Sequence, residues 1–232
     1  MKHFLYFSLF PRKCIACGKV ISPKQYYCET CRPHMPFIEA ERCEMCGCGK
    51  QSCACKHKKH HYDGIIAPFY YEGGAKRAIL KLKRYPIYAE PLAKECCTVL
   101  QQYYGSVHFD AVCAVPMGKQ RCKQSGFNHS EVLAKEIAAA IGVPYRNLLT
   151  VVGQAQPQHR LDLSFRAGNV RGLYDIINEQ YLNGKTILLV DDIKTTGATL
   201  GECALMLKLG GADAVYAVCC GIARKIGERS PA

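Results

Sequence analysis

Two adjacent acids separate an apolar run from a turn rich in hydroxyl groups in the stretch ILLVDDIKTTGAT, residues 187–199. The acids are Asp191 and Asp192, and neighbouring carboxylates of this kind accept hydrogen bonds from a pair of vicinal hydroxyls. The turn that follows consists of Thr195, Thr196, Gly197, Ala198 and Thr199. Its hydroxyls, its backbone N–H groups and the positive end of the helix that it opens suit a phosphate dianion. The pattern therefore predicts a site for a sugar phosphate with free 2- and 3-hydroxyls.

Cysteines dominate the first part of the chain, which holds nine of the sixteen between Cys14 and Cys55. Two C-x-x-C pairs lie about ten residues apart, a spacing typical of a zinc ribbon in which two tight turns present four thiolates to a tetrahedral ion. The ligands predicted for this first zinc site are Cys14, Cys17, Cys28 and Cys31.

A second cysteine set has a less regular spacing, because its second pair has one intervening residue instead of two. The preferred ligands are Cys43, Cys46, Cys53 and Cys55. Cys48 is an alternative to either member of the second pair, and three histidines are within reach, namely His57, His60 and His61.

The charge of the chain points to an anionic partner such as a phosphate or a nucleic acid, since the formal net charge is +12 and the pI is near 9.0. Two Zn²⁺ ions on eight thiolates would lower that charge to about +8. The sequence has no apolar run long enough to span a membrane, and its first residues do not make a convincing signal peptide. We therefore expect a cytoplasmic protein with reduced cysteines and no membrane span.

The rest of the chain alternates strand and helix patterns, which predicts a parallel α/β sheet flanked by helices. Buried strands are expected at 110–116, 186–190 and 213–223. Asn128 is predicted to cap a helix, with Glu131 as its capping-box partner. We predict a zinc-binding module over residues 1–62 and an α/β domain over 63–232. Because parallel strands deliver their carboxyl ends to the ligand side of such a sheet, the two acids belong at that edge.

The combined pattern resembles the ComF/GntX family of competence-associated, amidophosphoribosyltransferase-like proteins. The motifs that carry the resemblance are the cysteine pairs, LKLK at 80–83, VPM at 115–117, GFN at 126–128, Arg166, Asn169 and VDDIKTTGAT at 190–199. The last of these is similar to the phosphoribosyl pyrophosphate (PRPP) fingerprint. The resemblance implies a type I phosphoribosyltransferase fold behind a zinc ribbon. The sequence departs from the family pattern at Lys194, where an apolar residue is usual, and at Ser125, where arginine is usual.

The resemblance also implies roles for the matched residues. Asp191 and Asp192 would be the catalytic acids that bind the ribose hydroxyls, and residues 195–199 would hold the 5-phosphate. The implied pyrophosphate-binding residues are Lys83, Met117, Gly118, Lys119 and Arg121. Arg166 would close over the site, and Mg²⁺ would accompany the pyrophosphate.

Two functional hypotheses follow from the sequence. The first is an Mg²⁺-dependent phosphoribosyltransferase with an unidentified acceptor, associated with competence and DNA uptake. The second is a catalytically silent adaptor that binds PRPP or a nucleotide. Its zinc module would contact single-stranded DNA, with Tyr26 and Tyr27 available for stacking, or a competence helicase. A transcriptional regulator that senses PRPP is a third interpretation, but no DNA-reading helix supports it.

Overall fold

A computed structural model describes residues 11–53, 55, 60–152 and 172–224. The strands are β1 Gly64–Ile66, β2 Phe69–Tyr70, β3 Ala111–Ala114, β4 Leu149–Val151, β5 Tyr174–Ile176, β6 Thr186–Lys194 and β7 Ala214–Ile222. The α-helices are α1 Gly73–Leu82, α2 Ala89–Tyr104, α3 Lys119–Ser125, α4 His129–Ile141, α5 Glu179–Leu182 and α6 Ala198–Leu209. Short 3₁₀ turns cover Lys50–Ser52 and Pro86–Tyr88.

A five-stranded parallel sheet forms the centre of the fold. Both β1 and β2 pair with β7, β7 pairs with β6, and β6 pairs with β3. Helices α2 and α4 cover one face and α6 covers the other, with apolar side chains filling both interfaces. The strands β4 and β5 form a separate antiparallel ribbon. This arrangement confirms the predicted fold class.

The strand that carries the two acids is longer than its apolar run indicates. The sequence predicts a strand over 186–190, whereas β6 continues to Lys194. The extension follows from pairing with β7, which continues through Asp191 opposite Cys219 and Lys194 opposite Ile222. On the other side, pairing with β3 stops at Val190 opposite Ala114. The prediction that the acids follow the strand is therefore wrong, because both lie within it, beyond the part that β3 covers.

The helix signals in the sequence agree with the structure at both ends of α4. The Asn128 side chain accepts a hydrogen bond from the Ser130 N–H at 3.1 Å, and Gly142 ends the helix with a φ of 71°. Glu131 does not complete a capping box but pairs with Lys135 at 2.7 Å. No helix within the described part of the chain is long and apolar enough to cross a membrane.

The cysteine-rich module packs directly on the sheet domain. Its first turn contributes Cys14, Ile15 and Ala16 to the apolar cluster that also contains helix α1. Two side chains of α1 cap the carbonyl groups of that turn, since Arg77 donates to Ala16 at 3.1 Å and Lys81 donates to Ile15 at 3.0 Å. The module and the sheet domain thus share one core, and the boundary at residue 62 stays a prediction.

Candidate functional site

Asp191 is almost fully buried at the end of the sheet, with 9% of its surface exposed. Its Oδ1 atom accepts hydrogen bonds from the Ser130 hydroxyl at 2.8 Å and from the Asp192 N–H at 2.9 Å. Burial raises the pKa of the carboxyl from 3.8 to about 7, and the charge of Asp192 adds to the rise, while the two donors oppose it. Two hydrogen bonds therefore fix the Asp191 carboxyl group in place, and its pKa lies near neutral pH.

Asp192 faces a different set of charges. Its Oδ2 atom lies 2.9 Å from Lys83 Nζ, where α1 ends. The same oxygen is buried and has no aligned hydrogen-bond donor among the described residues, so the contact is an ion pair and not a directed hydrogen bond. Lys83, which is predicted to bind pyrophosphate, thus contacts Asp192, which is predicted to bind a ribose hydroxyl. A ligand hydroxyl could supply the missing donor.

The turn that follows β6 presents its polar groups to solvent. Thr195, Thr196, Ala198 and Thr199 are exposed, and Gly197 has a φ of 82° as the N-cap of α6. Gly197 itself is buried, because side chains pack against the side of the turn that faces the protein interior. A Cβ there would lie 3.1 Å from Lys194 Cε, 3.3 Å from His60 Cε1 and 3.4 Å from Tyr62 Oη. The turn is therefore open above and tightly supported beneath, as a phosphate-binding turn requires.

The predicted pyrophosphate loop leaves the neighbouring strand at the same edge. The Val115 N–H donates to the Val190 carbonyl at 2.9 Å, and Asn128 Nδ2 donates to the Val115 carbonyl at 3.0 Å, which fixes where the loop begins. Met117 and Gly118 are partly exposed, and Gly118 is the N-cap of α3. Lys119 and Arg121 are exposed on that helix. Arg166 lies outside the described residues, so its role over the site stays a prediction.

Both cysteine sets form compact four-sulfur groups. In each group the sulfurs lie within 4.8 Å of one another, and the members are Cys14, Cys17, Cys28 and Cys31 in the first and Cys43, Cys46, Cys53 and Cys55 in the second. Thiolates about 2.3 Å from a tetrahedral zinc ion stand about 3.8 Å apart. The separations of 3.8 Å between Cys17 and Cys28 and 3.7 Å between Cys43 and Cys55 fit that geometry.

The two groups are built on matching turns. The Gly18 N–H donates to the Cys14 carbonyl at 2.8 Å, and the Gly47 N–H donates to the Cys43 carbonyl at 2.7 Å. Burial alone would raise the pKa of the Cys14 thiol, but backbone N–H groups lower it to about 6, which favours the thiolate that zinc needs. The geometry and the donor set support structural zinc.

The alternatives at the second group have other roles. Cys48 uses its backbone carbonyl to accept from the Cys43 N–H at 2.8 Å, and its sulfur is not a member of the four-sulfur group. His60 stacks on Tyr62 with ring centroids 4.8 Å apart. His61 is exposed, and His57 lies outside the described residues.

The burial of Tyr27 argues against its stacking on nucleic-acid bases, whereas stacking on the partly exposed Tyr26 stays a prediction. Tyr26 donates to Glu90 at 2.8 Å, and its ring lies between Arg12 and Lys94. Tyr27 is 8% exposed, with Arg32 over its ring. Both rings are engaged because the first zinc turn packs against α1 and α2.

Two residues of the site were missed by sequence analysis, and both open helix α4. Ser130 holds Asp191, as described above. His129 is 7% exposed, burial lowers the pKa of its imidazole, and its Nδ1 atom has no hydrogen-bond partner among the described residues. Their position directly after the Asn128 cap could have indicated that they lie at the site. The helix that Asn128 caps follows β3 in the chain and begins at the sheet edge where β6 carries its two acids.

The fold and the cysteine groups together define a parallel α/β domain preceded by two four-cysteine groups of zinc-ribbon type. A family model described as "Double zinc ribbon domain" matches residues 5–61. The chain is 31% identical over 111 residues to DNA utilization protein YhgH of Salmonella typhi, covering 47% of this chain and 48% of that protein. It is 25% identical over 108 residues to Competence protein F of Haemophilus influenzae, and the match covers 46% of this chain and 47% of that protein. The matches thus span about half the length of these relatives. They support the resemblance to the ComF/GntX family.

Solved structures overlap with the chain only in part. Glutamine phosphoribosylpyrophosphate amidotransferase from B. subtilis is 22% identical, covers 57% of this chain and 26% of its own length, and has a TM-score of 0.40. Adenine phosphoribosyltransferase from Saccharomyces cerevisiae is 14% identical, covers 62% and 81%, and has a TM-score of 0.41. These overlaps do not themselves assign a function.

Proposed function

We propose that this chain binds PRPP and transfers its phosphoribosyl group to the nitrogen of an acceptor. The observation that carries the proposal is the order of groups along β6 and the turn after it. Two acids lie past the end of the β3 pairing, Lys83 is 2.9 Å from Asp192, and an exposed hydroxyl-rich turn opens α6. Paired acids followed by an N–H-lined turn match the vicinal hydroxyls and the 5-phosphate of a ribose phosphate.

In this proposal the acids orient the sugar. Asp192, whose Oδ2 lacks an aligned donor among the described residues, accepts one ribose hydroxyl. Asp191 accepts the other in its ionised form, with Ser130 and the Asp192 N–H keeping the carboxylate in place. The 5-phosphate takes the N–H groups and hydroxyls of residues 195–199. Holding both ends of the pentose fixes the direction in which its C1 faces the acceptor.

The leaving group belongs to the cationic side of the site. Backbone N–H groups of Met117 and Gly118 would bind the pyrophosphate. The side chains of Lys83, Lys119 and Arg121 would supply positive charge. The acceptor nitrogen forms a bond to C1 while the bond between C1 and the pyrophosphate oxygen breaks, and pyrophosphate leaves with the electron pair. Mg²⁺ bound with PRPP would neutralise the charge of that pyrophosphate. Lys83 moves from Asp192 toward the pyrophosphate or bridges the two, stabilising charge as it develops.

The biological setting proposed is DNA utilisation or competence in the cytoplasm. The printed names of the relatives, DNA utilization protein and Competence protein F, support this setting. Reduced thiols, which zinc binding requires, agree with a cytoplasmic location.

A second candidate is an adaptor that binds PRPP without turnover while its zinc module contacts single-stranded DNA or a helicase partner. The observation that favours it is a group of three exposed lysines on the first zinc turns, Lys13, Lys19 and Lys24. None of them takes part in the ion pairs formed by the described residues. Exposed cations outside the ion pairs of the described residues suit a phosphate backbone.

Pyrophosphate release tests the enzyme hypothesis. The protein is incubated with Mg²⁺, PRPP and a panel of amine and nucleobase acceptors. We expect acceptor-dependent release that Asp192→Ala abolishes and that the exposed-acid control Asp213→Ala leaves intact. PRPP binding with no release for any acceptor would reject transfer in favour of the adaptor.

Salt dependence of binding to an oligonucleotide tests the adaptor. Replacing Lys13, Lys19 and Lys24 together by glutamine should reduce the slope of log K against log salt by about 2, since each single-strand phosphate contact contributes about 0.7. The control replaces Lys76, Lys123 and Lys135, which are exposed elsewhere. Equal slopes in the two triple variants would exclude the zinc module as the DNA contact.

A further inference from the structure

Lys194 is a lysine in an unusual environment. It is the last residue of β6, and only 6% of its surface is exposed. Lysine is almost never buried to this extent without a partner, because its ammonium loses hydration. Its backbone is fixed by pairing with Ile222 and by the Ala223 N–H, which donates to the Lys194 carbonyl at 2.8 Å. The side chain therefore starts from a rigid point in the sheet.

No counter-charge for Lys194 is found among the described residues. Three lysines of the sheet domain that are more exposed than Lys194 do have one: Lys83 pairs with Asp192 at 2.9 Å, Lys185 with Asp110 at 3.1 Å and Lys208 with Asp63 at 2.7 Å. Lys194 appears in none of the ion pairs or side-chain hydrogen bonds of residues 11–53, 55, 60–152 and 172–224. The side chain of Lys194 is thus largely enclosed and has no acidic partner in this part of the chain.

The side chain runs beneath the turn that opens α6. Its Cε atom lies 3.1 Å from the position that a Cβ on Gly197 would occupy, and the ammonium is one bond further. Gly197 is the N-cap of α6, a helix of 12 residues, so the positive end of the helix dipole and a buried cation meet at one place. Both positive sources would attract a dianion bound in the turn.

We propose that Lys194 is the buried counter-charge of a phosphate monoester dianion held in the turn of residues 195–199, and so makes this turn select phosphorylated pentoses. This inference rests on the proposed PRPP function and names a specificity residue within it. In this proposal Lys194 binds the 5-phosphate and takes no part in the reaction at C1.

The inference predicts opposite effects on stability and on binding. Lys194→Met keeps the length and the apolar stem of the side chain but removes the charge. Without ligand the variant should melt at a higher temperature than the wild type, because an unpaired buried cation is gone. With ligand it should bind PRPP at least about tenfold more weakly, the size of one lost hydrogen bond to a charged group. Lys194→Arg keeps the charge and should retain most of the affinity.

Calorimetric titration with PRPP and Mg²⁺ tests the inference, with Mg²⁺–pyrophosphate as a reference ligand that has no pentose phosphate. Lys135→Met is the control, because it removes an exposed lysine from α4. We expect Lys194→Met to lose affinity for PRPP but not for pyrophosphate, while Lys135→Met loses neither. Equal PRPP affinity in Lys194→Met and wild type would overturn the role of Lys194, and so would equal losses in Lys194→Met and Lys194→Arg. Failure of the wild type to bind PRPP would instead overturn the proposed function.

Discussion

Replacing Asp191 by asparagine should stabilise the free protein at neutral and alkaline pH. Burial raises the pKa of this carboxyl from 3.8 to about 7. The folded state therefore binds more protons than the unfolded state between these values, and stability falls as the pH rises through that window. Asparagine has no such penalty and still offers an oxygen to the Ser130 hydroxyl.

The size of the effect follows from the pKa difference. At about 1.36 kcal/mol per pKa unit, the ionised carboxyl costs up to about 4 kcal/mol once the pH is above 7. Roughly 2 kcal/mol of this develops between pH 5.5 and pH 8. The free energy of unfolding of Asp191→Asn minus that of the wild type should therefore increase over this range and level off above it.

Urea denaturation at fixed zinc concentration measures this difference, and the strand provides a control of opposite sign. Asp110 accepts from the Thr186 N–H at 2.9 Å and pairs with Lys185 at 3.1 Å, where β6 begins. The Thr186 N–H lowers the pKa of the Asp110 carboxyl, so Asp110→Asn should destabilise the protein above the unfolded pKa. A difference for Asp191→Asn that is zero or negative, or that does not change with pH, would refute the reasoning about the buried acid.

Two further predictions concern the zinc module. Cys53→Ser should reduce bound zinc, measured by elemental analysis, from about two equivalents to about one. Cys48→Ser should retain both ions, because Cys48 is not in the four-sulfur group. Equal zinc loss in the two variants would contradict this ligand assignment. Gly47→Ala should lower the free energy of unfolding by about 2 kcal/mol more than Gly18→Ala. The reason is that a Cβ at Gly47 would lie 2.6 Å from Ile222 Cδ1, while one at Gly18 has nothing closer than 3.8 Å, at similar φ values of 75° and 84°. Similar losses of stability in both alanine variants would exclude the proposed packing of this turn on the sheet.

Local signals in the sequence predicted the elements that local interactions determine. The helix α4 starts at its Asn128 cap and stops at Gly142, because a side-chain cap and a left-handed glycine act within a few residues. The two cysteine groups likewise follow from spacing within short turns. The parallel sheet followed from the alternation of strand and helix patterns.

The features that the sequence did not predict depend on contacts between distant parts of the chain. The extension of β6 to Lys194 requires β7, and the burial of Tyr27 requires packing of the zinc module on the sheet domain. The ion pair of Lys83 with Asp192 joins residues more than a hundred positions apart, and no spacing rule reveals it. The burial of Lys194 beneath Gly197 is of the same kind, so the sequence marked that lysine as unusual without indicating its surroundings.

Calorimetry of PRPP with Mg²⁺ on the wild type and on Asp191→Ala/Asp192→Ala tests the central claim most directly. The account predicts one PRPP per wild-type chain and at least a hundredfold weaker binding by the double variant, since each acid contributes at least about 1.5 kcal/mol through a charged hydrogen bond. Asp175→Ala/Asp213→Ala, which removes two exposed acids, should bind as the wild type does. Undiminished binding by a folded Asp191→Ala/Asp192→Ala protein, or no binding by the wild type, would contradict the claim that this sheet edge holds a ribose phosphate.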